Sequence, residues 1–196
     1  GRANRVWDPV ASEMALGRFG WKANAATVLA QTAGAASGDM GLTSRVATDE
    51  NCRSPQRACA SAPRGDGVDL RDAHLDKLVF YLKSLAVPAR RRMDEAAEQR
   101  GEMLFARSGC SGCHVPVLQA AADASPSLLA GQVFAPYTDL LLHDMGDGLS
   151  DGREDFGASG REWRTAPLWG LGLVPITNGH AFYLHDGRAR SLEEAV

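Results

Sequence analysis

The sequence predicts a mostly α fold, and three observations carry that expectation. Three stretches place apolar residues at helical spacing, Gly and Pro collect in the segments between them, and strand content should therefore be low. The chain has 196 residues, 44% hydrophobic and 23% charged, with a formal charge of -3. Disorder needs fewer apolar residues and more net charge, and collagen-like or low-complexity chains need far more than 21 Gly and 9 Pro. The charge balance gives no reason to expect nucleic acid as a partner. The apolar runs, such as Leu75 to Leu85, are broken by Lys, His or Asp well short of the roughly 20 residues a bilayer span requires.

From the start, Gly1 stands where Met would, and no charged segment followed by an apolar stretch marks a secretory signal. The first helix is expected over Ala25 to Ala36, with Asn24 as its cap and Val28, Leu29 and Ala33 facing inward. Residues 49 to 69 hold Cys52, Pro55, Cys59, Pro63, Gly65 and Gly67, which reads as a loop. The second helix runs from Asp69 to Ala86. Leu75, Leu78, Val79, Leu82 and Leu85 share one side, Asp72, Asp76 and Lys77 lie largely on the other, and Pro88 stops it. The third runs from Asp94 to Arg107, acidic in its first turn, where the helix dipole favours carboxylates, and ends at Ser108-Gly109. From Gly146 to Gly160 the chain is Gly-rich. At the end, Ser191-Leu192-Glu193-Glu194 is a capping box with only Ala195 and Val196 after it, so the chain reads as part of something longer.

The chemistry concentrates directly after the third helix. Cys110-Ser111-Gly112-Cys113-His114 has the spacing for covalent haem attachment: two thiols on one turn reach two vinyl groups, and the adjacent imidazole ligates the iron. A thioredoxin-like redox pair or half of a zinc site are the alternatives. The first wants a strand-to-helix context, and the second a further ligand pair. Cys52 and Cys59, with six residues between them and far upstream, make a poor second half. Their Pro-containing loop can close as a disulfide, which agrees with haem c maturation outside the bacterial cytoplasm, where disulfides persist.

Gly101 and Phe105 precede the motif at the spacing Gly-x-x-x-Phe-x-x-x-x-Cys-x-x-Cys-His. This resembles the entry helix of class I c-type cytochromes. Leu78 to Arg91, Tyr137 to Gly146, Glu162 to Gly172 and Tyr183 to Val196, with Gly17 to Lys22, resemble the di-haem oxidoreductases, bacterial peroxidases related to the di-haem cytochrome c peroxidases. The resemblance implies a cytochrome c-like haem domain over 94–196, truncated at its C-terminal end, with an N-terminal helical extension over 1–93. It implies covalent haem c with its iron, electron transfer as an oxidoreductase, and a periplasmic or otherwise exported location. It also implies a redox partner protein or second haem domain, because the family carries a further haem motif upstream that this sequence lacks. The parent protein would be the peroxidase and this chain its electron relay. The main alternative is a thiol/disulfide redox protein using Cys110 and Cys113 without haem.

For the iron, His114 is the expected proximal ligand. Met145 is the leading distal candidate because it alone among the five methionines lies downstream of the motif, after the apolar run Leu140-Leu141-Leu142. His143 is the alternative. The family pattern would put the distal residue beyond Val196. Trp21, Trp163 and Trp169 could flank a porphyrin, and Arg164 and Arg188 could pair with its propionates, since a guanidinium matches a carboxylate. His74, His180, His185 and Met40 are weaker candidates, and no Ser-His-Asp order or phosphate loop is specific enough to carry forward.

Overall fold

A computed structural model describes residues 1–91 and 95–196. Among these residues the helices are α1 (Val28–Met40), α2 (Arg57–Ser61), α3 (Asp72–Lys83), α4 (Ala96–Arg107), α5 (Val174–Asn178) and α6 (Leu192–Ala195). The strands are β1 (Arg5–Asp8), β2 (Glu13–Leu16), β3 (Leu118–Gln119), β4 (Val133–Phe134), β5 (Leu142–Asp144) and β6 (Glu162–Arg164). They form three antiparallel pairs, β1-β2, β3-β4 and β5-β6.

This corrects the mostly α expectation: 33% of the structure is helix and 14% strand, spread over short elements. The reason lies in the segments between the helices. Ten glycines and residues such as Tyr137, Leu140 and Phe156 stand at positive φ, where no helix or strand continues. Long-range bonds between backbone and side chains hold these segments instead. The described residues divide into two compact units: unit 1 comprises Gly1–Leu85 and Leu140–Arg164, and unit 2 comprises Ala86–Asp139 and Thr165–Val196.

In unit 1, α1 starts three residues later than expected. Thr27, not Asn24, caps it by accepting the N–H of Ala30 at 3.0 Å. Asn24 is drawn instead to Asp155, 131 residues away, by a 2.7 Å bond. The helix ends at Gly41 (φ 69°), a left-handed turn that lets the N–H groups of Gly41 and Leu42 reach the carbonyls of Ser37 and Ala36. α1 packs on α3, and Ala33 and Ala36 of α1 and Leu75 of α3 are buried. The contact covers little of α3: Leu78, Leu82 and Leu85, expected to face inward, are 43%, 41% and 52% exposed. The loop between the helices contains α2 and the Cys52–Cys59 disulfide, with Cα atoms 5.7 Å apart. Asp69 closes it by accepting both the N–H and the hydroxyl of Thr43, and the hydroxyl bond leads in holding its carboxyl below the usual range.

The rest of unit 1 is a polar weave between residues 1–24 and 140–164. Asn4, 1% exposed, donates to the carbonyls of Lys22 and Asp155 and accepts the N–H of Gly157. Arg2 forms a fork with Glu162. Lys22 is nearly sealed from solvent. Its ammonium donates to Asp151 Oδ1 at 2.9 Å and to the carbonyls of Arg153 and Ser159 at 2.8 Å, and lies 4.3 Å from the centre of the Trp163 ring. Three acceptors and an aromatic face compensate the desolvated charge.

Unit 2 contains α4, the turn that follows it, the β3-β4 pair, α5 and α6. Among its described residues Pro136 and Ala189 are buried, while Met103, Leu104, Val117, Val133, Ile176 and Phe182 are exposed. Burial of apolar surface is the main driving force of folding, so unit 2 presents apolar surface suited to covering by a large apolar group. α6 begins at the expected capping box, with Ser191 accepting the N–H of Glu194 and Glu194 reaching back to the N–H of Arg190.

Candidate haem-attachment site

The third helix begins two residues later than expected; Asp94, the expected start, lies outside the described residues. α4 stops as expected before Ser108-Gly109, where Gly109 (φ 83°) takes a conformation that suits glycine. The chain then tightens into a single 3-10 turn over Cys110–Gly112. The Gly112 N–H donates to the Gly109 carbonyl, and the N–H groups of Cys113 (3.3 Å) and His114 (2.9 Å) both donate to the carbonyl of Cys110. One turn therefore holds both sulfurs and the imidazole. The thiols of Cys110 and Cys113 are half-buried and outside the disulfide.

His114 is fixed from behind. Its Nδ1 lies 2.9 Å from the carbonyl oxygen of Tyr137. A carbonyl only accepts, so Nδ1 carries the proton and Nε2 presents its lone pair away from that bond. Metal-ligating histidines are prepared in this way, with the second nitrogen donating to a carbonyl or carboxylate. Phe105 of α4 meets the Tyr137 ring edge-on, centroids 5.7 Å apart at 88°, and lies 6.2 Å from the imidazole. Gly101, Phe105, Ala106, Ser111, Pro116 and Tyr137 line a cavity of about 290 Å³. Arg90 and Glu102 flank it with a two-bond ion pair at 2.9 and 3.2 Å. That pair, through its hydrogen bonds, holds the Glu102 carboxyl below and the Arg90 guanidinium above their usual ranges.

The remaining sequence candidates divide between the two units. His143 and Met145 belong to unit 1: His143 is on β5 opposite Trp163, and Met145, 49% exposed, follows β5 and donates its N–H to Arg161. Trp163 is held in unit 1 by Lys22 and by a 3.0 Å bond from Nε1 to the Leu149 carbonyl. Trp21 is 55% exposed. Arg164 donates to Gly20, and burial pushes its guanidinium pKa down. In unit 2, Trp169 lies 6.2 Å from Phe134 and Arg188 bonds Asp186. His180 stacks on Phe182. His74 is on α3, and Met40 ends α1 at 64% exposure.

Tyr137 and Thr138 are the residues the sequence did not mark. Tyr137 acts through its backbone oxygen, at φ 54° and 23 residues from His114, and no local pattern announces such a contact.

The donor set and the exposed apolar side chains of unit 2 both suit a covalently held porphyrin. Residues 1–196, the whole chain, match the sequence profile of the family described as "Di-haem oxidoreductase, putative peroxidase". No curated protein and no solved structure matches the chain.

Proposed function

The chain belongs to the di-haem oxidoreductase family, and from that premise we propose that it binds one haem c and passes electrons through it. The observation that carries this reading is the His114–Tyr137 bond, which prepares Nε2 as a metal ligand beside two thiols on the same turn.

Cys110 and Cys113 would hold the porphyrin as thioethers, and His114 would bind the iron through Nε2. The bound haem supplies one-electron chemistry at iron. The residues of the chain supply what surrounds it. The Gly109 turn sets the spacing of the thiols, the Tyr137 carbonyl holds the imidazole proton on Nδ1, and Phe105 braces Tyr137 from α4. The exposed apolar side chains of unit 2 exclude water when covered. No acid-base group is needed for the transfer. The sequence carries one Cys-x-x-Cys-His motif, so one haem is assigned to it. Peroxide chemistry would belong to the parent protein, with this chain as its electron relay and a redox protein or second haem domain as its partner. The disulfide supports a periplasmic or otherwise exported location. Among the described residues, no helix is long and apolar enough to cross a membrane. Met145 is carried from the sequence as the candidate second ligand.

The test is expression with the haem-attachment machinery, followed by a pyridine haemochrome spectrum and a haem-stained denaturing gel. One covalent haem per chain, lost in the Cys110→Ala/Cys113→Ala variant, is expected. Colourless protein with two titratable thiols at the motif would overturn the reading in favour of thiol redox chemistry.

A further inference from the structure

We propose that Thr138 is a positioning residue for His114, acting by holding Tyr137 in the backbone conformation that aims its carbonyl at the imidazole. The inference rests on the haem reading above and assigns a determinant of the haem's potential.

Tyr137 stands at φ 54°, which residues with a Cβ avoid. Something must hold it there, and its two neighbours are both tied down. Pro136, fully buried, accepts the N–H of Leu168 at 2.9 Å. Thr138, 1% exposed, is pinned at two points at least. Its hydroxyl donates to the Thr165 carbonyl at 2.6 Å, and its N–H donates to the carbonyl of Val115, the residue after His114, at 3.1 Å. The second bond fixes the segment against the haem-attachment turn, and the first fixes it against the returning chain. Between these pins the Tyr137 carbonyl is left facing His114 Nδ1. The hydroxyl bond is a pin that a side-chain substitution removes without touching the backbone. Without it, the Tyr137 peptide can relax toward an ordinary conformation and its oxygen can leave the imidazole.

The consequence follows from the chemistry of the bond. A carbonyl accepting from Nδ1–H pushes electron density toward Nε2, makes the imidazole a stronger donor and favours the oxidised iron. Loosening the bond should favour the reduced form and raise the potential.

The experiment compares the haem-loaded full chain with its Thr138→Val and Thr138→Ser variants, measuring midpoint potential and thermal stability together. Thr138→Val should raise the reduced-to-oxidised ratio at fixed potential by about three- to tenfold, tenfold being about 59 mV for a one-electron couple. Thr138→Ser, which keeps the hydroxyl, should stay within about twofold of the parent. A loaded Thr138→Val protein that loses stability at an unchanged potential would show the hydroxyl to be structural only and overturn the proposal. So would a Thr138→Ser protein that shifts as far as the valine variant. Should Thr138→Val not accumulate, Thr138→Ala replaces it under the same criteria. Absence of covalent haem from the parent chain would remove the haem reading itself, an outcome distinct from an unmoved potential in a loaded variant.

Discussion

Tyr137 turns its carbonyl oxygen to within 2.9 Å of His114 Nδ1 while its own backbone stands at φ 54°. A strained residue thus fixes the tautomer of the imidazole that follows the second cysteine. On the proposed haem reading the atom that matters is this main-chain oxygen, and the Tyr137 side chain matters mainly for its contact with Phe105.

Met145→Ala, in haem-loaded protein, should abolish the weak near-infrared sulfur-to-iron band of the oxidised form. Absence of that band from the unmodified protein would remove Met145 as the second ligand.

Lys22→Met should destabilise unit 1 by about 3 kcal/mol in urea unfolding, because it leaves Asp151 and two carbonyls without their cation. Asp151→Asn should cost less, since the Asp151 side chain is 31% exposed and water can replace part of what it loses. Equal losses would contradict the view that the buried ammonium is the centre of the cluster.

The Arg2 guanidinium, helped by the Ser159 N–H, lowers the Glu162 carboxyl from its ordinary 4.5 to about 2. Its folded pKa is depressed, so its stabilisation is fully present above pH 4.5 and is lost as pH falls toward 2. Arg2 is half exposed and solvent screens the pair, so a contribution of about 1 to 2 kcal/mol is expected. Stability measured against pH should fall through this window in the parent and fall less in Glu162→Gln. Identical acid limbs would assign the loss to other carboxylates.

Cys52→Ser/Cys59→Ser should lower stability by at most about 2.5 kcal/mol, the loop-closure value for so short a ring. Haem content should not change, because neither cysteine belongs to the attachment turn. Loss of haem in this variant would tie the loop to maturation.

What the sequence revealed was local. The Cys110–His114 turn, its Gly109 break and the Ser191 cap could be read because each is decided within a few residues by covalent spacing or by a single helix end. The Cys52–Cys59 pairing was similarly close in sequence. What it did not reveal depends on distance. Asn24 was expected to cap a helix and is held by Asp155, Lys22 gains its acceptors about 130 residues downstream, and Tyr137 takes a left-handed backbone conformation that is ordinarily left to glycine. The mostly α expectation failed partly for the same reason. Helical periodicity was visible at α1, α3 and α4, while β5-β6 pairs Leu142–Asp144 with Glu162–Arg164 across the Gly-rich segment, and β1-β2 is a local hairpin whose strands are only four residues long.

The most direct test of the central claim is the visible spectrum and intact mass of the chain matured with the haem-attachment machinery, beside His114→Ala. The account predicts one haem covalently held through Cys110 and Cys113 in the parent, with a low-spin spectrum that His114→Ala loses. A parent chain at its bare polypeptide mass, without visible absorption, would contradict it.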